Sequence, residues 1–120
     1  MRDIEEVLSR WGVWSIHNAG VDYSHIAAGF KGLITTGGKS KPSCTDDDGL
    51  IIDSCVAALK NRRPDEFDLL VQHYVMNVSK RALAKKLKKD EKLIRISLQL
   101  AGGFIDGCLS TLDITLDMER

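Results

Sequence analysis

The chain has 120 residues, a length that suits one domain with a single modest core. Hydrophobic residues make up 43% and charged residues 28%, the balance of a soluble globular protein, and the formal net charge is zero. No apolar run approaches the roughly 18–20 residues of a membrane span, and Met1-Arg2-Asp3-Ile4-Glu5-Glu6 carries acids with no apolar signal region, so the expected location is the cytoplasm.

A first helix is expected over residues 3–17. Ile4, Val7, Leu8, Trp11 and Trp14 or Ser15 recur at helical spacing, and Asp3 suits the N-cap. Gly12 in the middle costs roughly 1 kcal/mol of helix propensity relative to Ala. Two tryptophans on one stripe read as core anchors. Residues 18–44 form a long loop with five glycines (Gly20, Gly29, Gly32, Gly37 and Gly38) and the basic residues Lys31, Lys39 and Lys41. Loops of this length in a small domain tend to be functional or disordered. Gly37-Gly38-Lys39 lacks the spacing of a phosphate-binding loop.

A second helix is expected over 46–62, opened by Thr45 or Asp46, with Asp46, Asp47 and Asp48 at the positive end of its dipole. Capping explains the three aspartates better than a metal site, because successive helical residues point in different directions. Leu50, Ile51, Cys55, Ala58 and Leu59 supply its expected buried face. Pro64 suits the first position of a third helix over 64–76, with Asp65, Glu66 and Asp68 early and Phe67, Leu70, Val71 and Tyr74 as its apolar stripe. Three cysteines (Cys44, Cys55, Cys108) and three histidines (His17, His25, His73) stand isolated, which fits free thiols and no metal or other cofactor.

The zero net charge conceals segregation. Lys80 to Arg95 holds eight basic residues against two acids; Asp46 to Asp68 holds seven acids against three bases; Asp106 to Arg120 holds four acids against one base. Charge gathered this way sets a local field that the overall balance cancels only at a distance.

The basic stretch coincides with a helix-turn-helix expected from about Val71 to Gln99, its two helices and their turn lying over 79–101. Ser79 suits the N-cap of a short helix carrying the pair Leu83 and Leu87, with the small residues Ala82 and Ala84 where a second helix crosses. Lys88-Lys89-Asp90 forms the turn, and Asp90 caps the next helix. That helix buries Ile94, Leu98, Ala101 and Ile105 and exposes the stripe Lys88, Lys92, Arg95 and Gln99. A recognition helix needs this division: one face packed on its scaffold, the other offering long hydrogen-bonding side chains to the major groove. Lys92, Arg95 and Gln99 are the candidate base readers, Arg95 for guanine and Gln99 for adenine. Ser79, Lys80, Arg81, Lys85, Lys86, Lys88 and Lys89 are candidate phosphate contacts, which supply affinity rather than sequence choice. Gly102-Gly103 is expected to bend or end the helix before a last helical segment over 104–113. The fold class is therefore all-α: a small helical domain with an embedded helix-turn-helix and a long Gly-rich loop. A soluble Lys-rich hairpin is the plainer alternative, but it does not explain why the basic residues stop at Arg95 while the helix continues.

Residues 74–100 resemble the sigma-factor region that reads the −35 promoter element. Over nearly its whole length the chain resembles the phage antitermination protein Q family in its small form. The resemblance is carried by Met1-Arg2-Asp3-Ile4, Trp11-Gly12-Val13-Trp14 and Ile26-Ala27-Ala28-Gly29-Phe30-Lys31-Gly32-Leu33. Lys41-Pro42-Ser43-Cys44, Asp46-Asp47-Asp48-Gly49-Leu50-Ile51-Ile52-Asp53, Arg63-Pro64-Asp65-Glu66, His73-Tyr74 and Ser79-Lys80-Arg81-Ala82-Leu83-Ala84 complete the set. The cysteine cluster that binds zinc in some other Q-type proteins is absent from this sequence. The resemblance implies a non-enzymatic antiterminator of late phage transcription in a bacterial host. Such a protein recognises DNA at a late promoter, loads onto paused RNA polymerase with its sigma factor, and suppresses pausing and termination at the RNA exit channel. Polymerase and nascent RNA are then the expected partners of Lys31, Lys39 and Lys41. The alternative is a helix-turn-helix repressor or activator acting only at initiation. No His, Cys, Ser or carboxylate pair stands in a catalytic spacing.

Overall fold

Asp3 accepts a hydrogen bond from the Glu6 backbone N–H and opens α1, Ile4–His17, in the computed structural model, which describes residues 2–18 and 42–120. Most of the long loop, with Lys31, Lys39 and Lys41, lies outside the described residues. The described chain is all helical: α2 spans Asp46–Arg62, α3 Pro64–Leu70, α4 Lys80–Leu87 and α5 Glu91–Thr111, with a short 3-10 turn at Asp117–Glu119.

The core gathers at the meeting of α1, α2, α3 and α5. Trp11, Leu8, Ile52, Leu59, Leu70, Ile105 and Leu109 are fully buried there, so both tryptophan anchors face inward, Trp14 included. Each indole keeps a polar partner at the core's edge. Trp11 Nε1 donates to Asp53 Oδ1 at 3.2 Å and Trp14 Nε1 to Asp46 Oδ1 at 2.9 Å. Trp14 lies flat on Gly49, where a Cβ would stand 2.3 Å from its ring. Burial pushes the Asp53 carboxyl above its ordinary value, against the lowering effect of the Trp11 hydrogen bond.

Four expectations need correction. Gly12 is required rather than merely tolerated: a Cβ there would lie 2.0 Å from the Tyr74 carbonyl oxygen, so α1 and the end of the third helix approach backbone to backbone. The third helix, expected to stay regular to 76, widens after Leu70 into a π-turn over Val71–Val75, and the Met76 N–H reaches the Val71 carbonyl at 3.1 Å. In α2, capped by Thr45, the inward residues are Ile52, Cys55, Val56 and Leu59, while Leu50 is 59% exposed. Its apolar residues are too dense for their spacing to single out the inward face. Finally, α5 runs unbroken through Gly102 and Gly103 and absorbs the separate segment expected over 104–113 up to Thr111. Two glycines weaken a helix by about 1 kcal/mol each, but Gly102 packs on Ile4 of α1, and Ile105 and Leu109 beyond it are fully buried.

The C-terminal tail is clasped to the body. Asp48, 2% exposed, accepts the backbone N–H groups of Asp117 at 2.8 Å and Met118 at 3.0 Å. Arg2 reaches the same tail, donating to Glu119 Oε2 and to the Ile114 carbonyl, both at 3.0 Å, and lies 3.4 Å from Asp106. Leu116 is fully buried beneath these contacts.

Candidate nucleic-acid interface

The basic segment folds as two helices joined by a short turn. Ser79 accepts the Ala82 N–H at 3.0 Å and starts α4, whose Leu83 and Ala84 are buried. α4 packs chiefly on α5, and Leu83 meets the cluster that includes Val78, Ile94 and Leu98. Lys88 stops α4 by turning left-handed, at φ 56° and ψ 44°, and the Lys89 N–H closes back to the Ala84 carbonyl at 2.9 Å. Asp90 accepts the Lys92 N–H at 3.0 Å and opens α5. No Cβ-free residue fills the left-handed position; a lysine does, at a steric cost of roughly 1 kcal/mol.

This architecture places the candidate residues as follows. Lys92, Arg95 and Gln99 are exposed on the first turns of α5. Ser79, Arg81, Lys85, Lys86, Lys88 and Lys89 are exposed around α4 and the turn, and Lys80 is half-buried. Lys88 does not belong to the α5 stripe, because it lies in the turn before the Asp90 cap. Among the described residues Lys80, Arg81, Lys85, Lys88, Lys89 and Lys92 form no ion pair. Arg95 does: its guanidinium is bound to Glu91 one turn back on the same exposed surface.

The outward face of α5 differs from a purely polar stripe. At about 100° per residue, the direction opposite the buried Ile94 and Leu98 falls on Ile96. Lys92 and Gln99 lie within about 60° of it on one flank, Leu93 and Leu100 on the other, and Arg95 stands on the shoulder, about 100° away. Leu93 is 53%, Ile96 41% and Leu100 54% exposed. A search confined to hydrogen-bonding side chains passes over Ile96; the position opposite Ile94 and Leu98 was the available signal.

Other groups stand apart from this surface. An open cleft of about 760 Å³ is lined by α1, the second half of α5 and the tail, through residues such as Arg2, Glu6, Arg10 and Asp106. Cys44, Cys55 and Cys108 are free, and burial raises the Cys44 and Cys55 thiols to about 11. Among the described residues no group of three His, Cys, Asp or Glu side chains converges as a metal site, and no helix is long and apolar enough to cross a membrane.

Known proteins align with the whole of this arrangement. The family model for phage antitermination protein Q matches residues 1–117. The chain is 52% identical over 120 residues to a probable antitermination protein Q of Acyrthosiphon pisum secondary endosymbiont phage 1, covering 98% of this chain and 81% of that protein. It is 49% identical to the prophage antitermination protein Q homolog QuuD of Escherichia coli K12, over 99% of this chain and 94% of the relative. In fold it is similar to transcription antitermination factor Q21 solved in complex with Q21-binding-element DNA, with a TM-score of 0.66 at 19% identity, covering 92% of this chain and 91% of that one. With the family model matched over residues 1–117 and relatives at about half identity along nearly the whole chain, the chain belongs to the phage antitermination protein Q family.

Proposed function

We propose that the chain is a DNA-binding transcription antiterminator, non-enzymatic, in which α4, the turn and α5 form the helix-turn-helix that engages a late-promoter element. The observation that carries the reading is the contrast in charge use: at least six cations of this unit lack an ion-pair partner among the described residues, in a chain of the antitermination Q family. Unpaired lysines and arginines spread over two helices and their turn suit a row of phosphates. Lys92, Arg95 and Gln99 then read base edges, and Ser79, Lys80, Arg81, Lys85, Lys86, Lys88 and Lys89 fix the unit on the backbone. Arg95 exchanges Glu91 for its DNA acceptor on binding. Lys31, Lys39 and Lys41 are assigned to contact with RNA polymerase or nascent RNA, on the strength of the family's expected action at paused polymerase.

The test pairs binding with transcription. Affinity for duplex DNA falls steeply with salt, and neutralising Lys85 and Lys86 together flattens log K against log salt by about one to two units. On a template carrying a late promoter, its DNA element and a downstream terminator, the protein raises readthrough. Salt-independent binding contradicts the docked helix-turn-helix. Retained DNA binding without readthrough leaves a promoter-binding regulator rather than an antiterminator.

A further inference from the structure

We propose that Ile96, at the centre of the outward face of α5, is a specificity-determining residue that reads the 5-methyl group of a thymine, with Leu93 beside it. The inference rests on the proposed DNA-binding role of this unit and names a contact that role leaves open. Ile94 and Leu98 are buried, so α5 is fixed in rotation and Ile96 points directly away from the body. A groove approached by this face meets Ile96 at its centre, with Arg95 on the shoulder paired to Glu91. The major groove offers one apolar feature, the thymine methyl, and aliphatic side chains recognise it by contact. Lys92 and Gln99 on the adjacent flank supply hydrogen bonds to neighbouring base edges.

A second copy of the chain is the competing occupant of this aliphatic stripe. Two observations count against it. Three partly exposed side chains provide far less than the roughly 800 Å² per partner that a stable protein interface buries. The stripe is also surrounded by the densest positive charge in the sequence, so pairing it with itself brings like charges together, whereas a duplex neutralises them.

The experiment uses the full chain and a randomised duplex library. Selected duplexes are resynthesised with each thymine replaced singly by deoxyuridine, which removes only the methyl group. At one thymine the replacement weakens binding by the native protein about fourfold, the effect of exposing one methyl group. The Ile96→Ala protein binds the thymine and deoxyuridine duplexes equally. Sequence-specific binding with no methyl-sensitive thymine, or undiminished methyl sensitivity in Ile96→Ala, overturns the assignment while leaving DNA binding intact. Failure to select any sequence overturns the DNA-reading role of the unit and this inference with it. Sedimentation without DNA decides the rival: a native dimer that Ile96→Ala turns into a monomer assigns the stripe to self-association and overturns the inference.

Discussion

The α1, α2 and tail region and the α4–α5 unit use polar side chains in opposite ways. In the first, Arg2, Asp46, Asp48 and Asp53 are bound to an indole, a backbone N–H or an opposite charge of the same chain. In the second, polar side chains cap helices at Ser79 and Asp90, Arg95 pairs with Glu91, and most lysines reach into solvent. The difference teaches that density of charge alone does not mark a surface for binding; charge left over after the fold has taken its share does.

Substitutions in the two regions should therefore separate stability from DNA affinity. The largest effect is expected from Gly12→Ala, whose Cβ collides with the Tyr74 carbonyl: a loss of about 3 kcal/mol or more in denaturant unfolding. Asp48→Ala should follow, at about 2–3 kcal/mol, because it strips the charged acceptor from two backbone N–H groups. Hydrogen exchange should then quicken at Asp117 and Met118 while DNA affinity stays as it was; a concurrent loss of affinity would break the separation. Arg95→Ala should do the reverse, leaving unfolding nearly unchanged and costing roughly 1–3 kcal/mol on a selected duplex, much less on random DNA. Equal losses on both would make Arg95 a phosphate contact.

Two smaller effects sharpen the boundary. Lys88→Gly relieves the left-handed residue and should stabilise by about 1 kcal/mol, yet lower DNA affinity by one phosphate contact. Asp53→Asn should give the smallest change. Burial raises the Asp53 pKa above 3.8, so its contribution to stability is fully present below 3.8 and is lost as pH rises through the folded-state value. An Asn keeps an oxygen for Trp11 and should leave the protein slightly more stable at neutral pH, with a flatter acid-side profile in thermal melts.

What the sequence revealed was local. The caps Asp3, Ser79 and Asp90 act within a few residues of themselves, and the inward residues Ile94, Leu98, Ala101 and Ile105 repeat at helical spacing. What it hid was tertiary. Gly12 acquires its role from the Tyr74 backbone 62 positions away, and α5 stays helical through its glycine pair because Ile4 packs on Gly102 and Ile105 and Leu109 beyond are buried. Ile96 went unread for a different reason: base readers are sought among hydrogen-bonding side chains, although its place opposite Ile94 and Leu98 already turns it outward.

The connector into α4 and the unbroken run of α5 into the core together set the mechanical relation of the two regions. From Met76 to Ser79 the chain is laced to the π-turn: Val78 N–H bonds the Gln72 carbonyl at 2.9 Å, and His73 Nδ1 donates to the Val78 carbonyl at 2.8 Å. These two hydrogen bonds oppose swivelling at the joint. If α4–α5 sits in a groove, the body becomes a lever whose heading is dictated by the DNA. Each base pair inserted between the element and polymerase would swing that lever by roughly 34–36°, one tenth of a helical turn. On the proposed docking, a stiff joint would make the helical phase of the DNA, as well as its sequence, a condition for meeting the polymerase.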